Sequence, residues 1–277
     1  MLVCVTGASG KAGRATVAEL LAHGHEVRAT DVVPAPIDLG VPLLRADLTE
    51  YGQTVEVLHG VDAVVHLANI PAPGLRTPAV TFTENTAMNS NVFLGAAQAG
   101  LRRVVWASSE TTLGLPFDTP PRYAPVDEDH YPVPTSTYAL SKVVGETVAR
   151  HIAEWSGIPF VALRFSNIFA PEDYPLLPPA WDDVTARRWN LWGYIDVRDA
   201  AAACRLAIDA PIDGARAYII AAADTVMPRA SADLLRDVFP GVPLTHDVGE
   251  FGTLLAIDRA RDELGWTPRH SWRGALS

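Results

Sequence analysis

Along the first 110 residues, short runs of β-branched and apolar side chains alternate with longer stretches whose apolar positions recur at helical spacing. Val3–Val5, Glu26–Thr30, Pro42–Arg45, Ala63–His66 and Arg103–Ala107 read as strands, each bounded by Gly, Pro or Asp. Ala12–His23, Tyr51–Leu58 and Val80–Ala99 lie between them and read as helices. Strand alternating with helix predicts a parallel sheet covered on both faces, because each crossover returns over one face of the sheet. A helix over Ser136–Trp155 and a strand over Phe160–Arg164 continue the series. From Pro171 to Asn190 the chain is rich in Pro, Trp and Asp; two short helices (Val197–Ile208, Ala230–Val238) and one strand (Ala217–Ala221) follow. The expectation is an α/β protein: a doubly wound parallel sheet over residues 1–170 and a small C-terminal lobe from residues 171–277, some of whose segments return to the sheet.

Composition narrows the partners. The 277 residues are 48% hydrophobic and 19% charged, enough apolar material for one large core with a small lobe. With 22 basic against 32 acidic residues the net charge is −10, so there is no broad positive field to hold nucleic acid or an anionic membrane surface. No apolar run approaches the roughly 20 residues that span a bilayer, and the N-terminus enters a strand without a basic leader, so a cytoplasmic protein is expected. Cys4 and Cys204 sit in apolar surroundings and read as core residues. The histidines have no Cys or carboxylate neighbours at metal-ligand spacing, so no metal is expected.

Thr6-Gly7-Ala8-Ser9-Gly10-Lys11-Ala12-Gly13 follows the first strand and opens the first helix. In that context Gly7 permits a tight turn, Gly10 lets the backbone approach a pyrophosphate, and Gly13 allows close helix-to-strand packing, with Ser9, Lys11 and Ala12 on the same loop. Asp31, at the end of the second strand, is placed to accept hydrogen bonds from ribose hydroxyls and to repel a 2′-phosphate. The pattern predicts a Rossmann-type NAD site; NAD is favoured over NADP because no Arg closely follows Asp31. Asp47 and Leu48 can bracket the adenine. The backbone of Leu67 and Ala68 lies at the carboxyl edge of the sheet, and His66 reads as a packed strand-end histidine.

Tyr138 and Lys142 are four apart on one face of a predicted helix. A phenol of ordinary pKa about 10 is a poor base at neutral pH, and a nearby ammonium favours the phenolate. Tyr138 is the expected acid/base on a substrate hydroxyl whose carbon gives hydride to NAD, with Lys142 as its tuner and a ligand of the nicotinamide ribose. Ser108 and Ser109 follow the fifth strand at the same sheet edge, where a hydroxyl can orient the reacting oxygen. The Leu115–Pro134 stretch, between Ser109 and Tyr138, is expected to run over the pocket.

With the glycine loop, Asp31, Asp47-Leu48, His66-Leu67-Ala68, Asn85 to Asn91, Ser108-Ser109 with Gly114, Tyr138 to Lys142 and Arg164-Phe165-Ser166-Asn167, the chain resembles an extended short-chain dehydrogenase/reductase of the NAD-dependent epimerase/dehydratase type. The likeness runs in order to about Pro171, then more loosely through Tyr194–Asp199 and Leu264–Pro268. It implies that Ser109 is the catalytic hydroxyl, that Asn85 and Ser166 belong to the cofactor site, and that Asn167 lies on the substrate side. It also implies homodimers paired through the helices around Val80–Ala99 and Ser136–Trp155. Dehydratases of this type carry Thr-Asp-Glu where this chain has Ser109-Glu110-Thr111, so dehydration is disfavoured.

The stretch between Asn167 and Tyr194 is short for a nucleotide-sugar site and suggests a small sugar-like substrate, as in the compact members that oxidise free sugar acids. Trp181, Trp189 and Trp192, beside Arg187 and Arg188, suit sugar faces and anions equally with the core of a small lobe and its solvated face. Arg164 reads as either an anion ligand of the substrate or an internal ion-pair former. The leading expectation is an NAD-dependent oxidoreductase. A nucleotide-sugar 4-epimerase with tightly held NAD is the alternative, and a non-catalytic NAD sensor the third.

Overall fold

In a computed structural model that describes residues 1–114, 117 and 119–276, the alternation of Val3 and Val5 with Cys4 sorts the first strand's side chains onto opposite faces of a sheet. Among the described residues that sheet has seven parallel strands: β1 (Leu2–Thr6), β2 (Glu26–Asp31), β3 (Leu43–Arg45), β4 (Ala63–His66), β5 (Arg103–Ser109), β6 (Phe160–Phe165) and a late strand, Ala215–Ile220, here β9. Their order is β3-β2-β1-β4-β5-β6-β9. Every residue of β4 and β6 is buried, as a strand covered on both faces requires.

Helices α1 (Lys11–Ala22) and α5 (Val197–Asp209) cover one face, packing Val17, Leu20, Ala203, Cys204 and Ala207 onto Val3, Val5, Val161 and Leu163. Helices α2 (Tyr51–Leu58), α3 (Pro78–Ala99) and α4 (Thr137–Ser156) cover the other, where Phe93 meets Trp106 and Phe160 edge-on with 5.2 Å between ring centroids in each pair. A third apolar cluster, with Tyr174, Trp192, Tyr194, Leu255 and Trp272 among its members, lies outside the sheet layers. It is built on β7 (Ile168–Phe169) paired with β8 (Ile195–Asp196), on α6 (Ser231–Val238) and on α8 (Trp272–Ala275), whereas α7 (Asp258–Leu264) packs Ala260 and Leu264 with the α1 and α5 face of the sheet; α7 and α8 are both missing from the periodicity. Residues 171–190 form three 3-10 turns instead of regular helix.

The topology reverses direction at β1, with β2 on one side and β4 on the other, so the carboxyl ends of these strands open a crevice where open α/β sheets bind ligands. The described residues of the 115–134 loop do not line it. Ala124 N–H donates to Pro243 O at 2.9 Å, Val126 N–H to Leu254 O at 2.9 Å, and Ala256 N–H to Val126 O at 2.8 Å. These bonds pin the described part of the loop against the C-terminal segment, and none of its described residues lines the crevice. Leu115, Pro116 and Asp118 belong to that expectation and lie outside the described residues.

Candidate active site

The crevice begins at the glycine loop. Gly7 has φ 67°, and a Cβ there would stand 2.7 Å from Ala68 N; a Cβ on Gly13 would stand 2.0 Å from Gly7 O. No side chain fits at either point, which is how the loop keeps its backbone against the strands. Gly10 caps α1 without a side-chain hydrogen bond, so the first-turn N–H groups have no side-chain acceptor and form an anion-seeking helix end. The Asp31 carboxylate accepts the N–H of Ser9 at 3.0 Å and of Val33 at 3.2 Å, fixing the loop to β2. Lys11 pairs with Asp173 and ties the loop to the 171–176 turn. Asp47 accepts both the N–H and the hydroxyl of Thr49, and Asn91 Nδ2 donates to Leu48 O at 2.9 Å.

The glycine loop, Asp31, Asp47 and Leu48, with Leu67 and Ala68, line a cavity of about 980 Å³ that continues to Ser108, Ser109, Glu110, Tyr138, Lys142, Ser166, Asn167 and Trp189. Its size, the glycine cradle and the carboxylate at the end of β2 fit a dinucleotide with a small second ligand.

Ser136 caps α4, its Oγ accepting Ala139 N–H at 3.1 Å, so the helix begins one residue before Tyr138 and turns Tyr138 and Lys142 to the same side. Strand β5 runs through Ser108 and Ser109 instead of ending before them. Ser109 is hydrogen-bonded to Tyr138, and its Oγ also accepts Thr111 N–H at 3.2 Å and the Thr111 hydroxyl at 3.0 Å. Lys142 Nζ donates to Ala107 O at 2.7 Å and stands 5.4 Å from the centre of the Tyr138 ring.

Burial dominates the electrostatics of this group. It pushes the Tyr138 phenol up to about 12; the Ser109 hydrogen bond offsets this in part and the charge of Glu110 adds to it. Burial also pushes Lys142 down to about 7, against the pull of Glu146. Burial therefore outweighs any lowering of Tyr138 by Lys142 of the kind the spacing suggests.

Three residues depart from expectation. Arg164 does not line the cavity: its Nε and Nη2 grip Glu146 at 2.9 and 2.8 Å, and both side chains are largely buried. Ser108 lines the cavity, but its hydroxyl donates to the same Glu146 at 2.6 Å. Asn85 also lies outside the lining; its side chain accepts Ile70 N–H at 2.8 Å and donates to Ile70 O at 3.1 Å, bracing the loop after β4. His66 is a packed residue, bonded to Thr6 Oγ1 at 2.7 Å and Asn89 Oδ1 at 3.1 Å and driven down to about 3 by burial.

Of the three tryptophans, Trp192 is core and Trp181 packs on Trp272, leaving Trp189 on the cavity. Arg187 is half-buried, with its guanidinium 5.2 Å from the Phe169 ring centre and 5.4 Å from that of Trp189, and donates to Asn167 Oδ1 at 3.1 Å. Arg188 is exposed. Glu110, noted in the sequence only as a departure from Thr-Asp-Glu, is a site residue that sequence reasoning missed. The residue is 3% exposed; its carboxyl accepts the Ser166 hydroxyl at 2.5 Å, Asn190 Nδ2 at 3.3 Å and the Asn167 N–H, and is pushed up to about 7 by burial, with these hydrogen bonds and the charge of Arg187 pulling the other way.

The family model described as NAD dependent epimerase/dehydratase family matches residues 3–221. The chain belongs to this family. Among epimerase/dehydratase relatives it is 25% identical to the UDP-glucose 4-epimerase of Corynebacterium glutamicum over 98% of this chain and 92% of that enzyme. It is 30% identical to the L-arabinose 1-dehydrogenase (NAD(P)(+)) of Haloferax volcanii over 62% of this chain and 68% of that one. In fold it is similar to a short-chain dehydrogenase/reductase superfamily protein from Agrobacterium tumefaciens with bound NAD, with a TM-score of 0.76, 23% identity, and coverage of 100% of this chain and 95% of that chain. Epimerase/dehydratase members thus include both epimerases and dehydrogenases of comparable similarity. An epimerase is matched over 92% of its length, so chain length separates the two activities less sharply than the shortness of the 167–194 stretch suggests.

Proposed function

We propose that this protein is an NAD-dependent dehydrogenase that oxidises a hydroxyl of a small sugar or sugar acid. The observation that carries the proposal is the meeting of Ser109, Tyr138 and Lys142 in one cavity with the glycine loop and Asp31. Tyr138 Oη takes the proton of the substrate hydroxyl, and Ser109 orients that hydroxyl and steadies the phenol. Lys142, when charged, favours the phenolate and offers ribose hydroxyls its remaining N–H donors. NAD, when bound, accepts the hydride from the same carbon. The roles of Gly7, Ser9, Gly10, Lys11, Ala12, Gly13, Asp47, Leu48, Leu67, Ala68 and Ser166 in holding it belong to the same proposal, and the Asp31 carboxylate favours NAD over the 2′-phosphorylated coenzyme.

At the other end, Asn167 and the Trp189 indole form a polar and aromatic wall suited to a polyol, and Arg187, which donates to Asn167 Oδ1 from outside that lining, brings a positive charge that suits a substrate carboxylate. Arg187 and Trp189 come from the 171–277 part, the proposed substrate lobe, and Asn167 from just before it. The second reading, a nucleotide-sugar 4-epimerase, is favoured by the near full-length similarity to a UDP-glucose 4-epimerase. Exposed Leu94, Leu140 and Trp155 on α3 and α4 support a homodimer through those helices. The deciding experiment incubates the protein with NAD and either free sugars and uronic acids or UDP-sugars. Net NADH from the free compounds supports the dehydrogenase; epimer formation without net NADH replaces it with the epimerase.

A further inference from the structure

The substrate end of the cavity holds a carboxyl to which the proposed chemistry assigns no part. Glu110 begins the turn after β5, and its side chain runs inward to meet two other elements: Ser166, just after β6, and Asn190, in the last 3-10 turn of the 171–190 segment. Asn190 Nδ2 also donates to Gly193 O at 2.8 Å, and Arg187 Nη2 donates to Asn167 Oδ1 at 3.1 Å while approaching Gly193 O at 3.5 Å. Gly193 is pressed against the same group, since a Cβ there would stand 2.9 Å from Ser166 Oγ and 2.7 Å from Leu255 Cδ1. Between them Leu191 and Trp192, both fully buried, hold φ of 53° and 57°, left-handed values that bulky side chains rarely adopt. Backbone of this kind persists where surrounding contacts over-determine it, and such positions gather at ligand sites. The Glu110 carboxyl is the acceptor that joins the turn to the end of β6.

We propose that Glu110 is a positioning residue: by holding Ser166 and Asn190 it fixes the 190–193 turn, and through that turn the Asn167–Arg187 pair, at the substrate end of the cavity. A side chain with no acceptor at this point leaves the Ser166 hydroxyl and the Asn190 amide without their shared partner, and the turn loses its side-chain tie to the end of β6. An amide of the same shape keeps both bonds, because Ser166 Oγ accepts from Nε2 as readily as it donates to an oxygen, and Oε1 still receives Asn190 Nδ2. The kinetic expectation rests on the sugar-oxidation reading; the structural one does not.

The test compares Glu110→Ala and Glu110→Gln with wild type in crystal structures of the NAD complexes, in NAD binding by calorimetry, and in turnover of whichever sugar reduces NAD. Glu110→Ala is expected to displace the 190–193 turn and Arg187 and to lower kcat/KM by about tenfold, mainly through the sugar KM, with the NAD Kd changed less than that KM. Glu110→Gln is expected to keep the turn and restore kcat/KM to within about threefold of wild type. If Glu110→Ala does not fold, Asn190→Ala carries the same expectations. A turn that stays in place without the carboxyl, or a Gln variant as impaired as the Ala variant, overturns the proposal. If wild type oxidises no sugar, the functional reading falls and the crystal structures alone decide this one.

Discussion

Replacing Glu110 by Gln removes a titrating group whose folded and unfolded states differ sharply. Burial raises the carboxyl from its ordinary 4.5 to about 7, so between these values the folded protein holds a proton that the unfolded chain has released. The stability of the neutral form is fully present below about pH 4.5 and is lost as pH rises through about 7. From pH 5 to pH 8 that loss is about 2.5 kcal/mol, at roughly 1.36 kcal/mol for each pKa unit separating the two states. The Gln variant has no such group. Urea unfolding of both proteins at the two pH values gives the double difference, in which every other titration cancels along with any fixed cost of the amide. The variant is expected to gain about 2.5 kcal/mol on wild type between pH 5 and pH 8. A stability difference that is the same at both pH values refutes the assignment of this carboxyl as buried and proton-holding near neutrality.

Three further outcomes follow from the geometry. Lys142 is pushed down to about 7, and NAD hydroxyls that accept from its free N–H groups raise it, so NAD binding takes up a proton. The NAD Kd should stay constant below about pH 7 and weaken above it, with the dependence lost in Lys142→Met in calorimetric titrations. Gly13→Ala drives a Cβ into Gly7 O and should lower unfolding stability by about 1–3 kcal/mol and abolish NAD binding in the same assay. Glu146→Ala strands the buried Arg164 and should destabilise by about 3–5 kcal/mol in urea, whereas joint replacement, Glu146→Leu with Arg164→Met, should recover most of that stability with the substrate KM unchanged.

The residues proposed to hold the cofactor, which line one cavity, were legible because their signals are local: a glycine loop between a strand and a helix, an acid at the end of the next strand, and a Tyr and Lys one helical turn apart each occupy a few consecutive residues. What was not legible depends on long-range partners. The two readings of Arg164, anion ligand or ion-pair former, could not be separated because its counter-ion, Glu146, lies 18 residues away on α4. Asn85 sits in the family's expected place and instead braces Ile70, and Glu110 acquires its environment from Ser166 and Asn190, 56 and 80 residues further on. The tryptophans could not be sorted by spacing, because left-handed backbone at Leu191 and Trp192 sends Trp192 into the core while Trp189 stays on the cavity. Helices α7 and α8, of 7 and 4 residues, are too short to show a period.

The most direct measurement of the central claim is NADH formation by wild type and Tyr138→Phe with the same uronic acid or sugar, alongside NAD binding by each. Loss of the one hydroxyl that can move the substrate's proton should cut turnover by about a hundredfold or more and leave NAD affinity intact. A Tyr138→Phe enzyme that turns over as fast as wild type would contradict it.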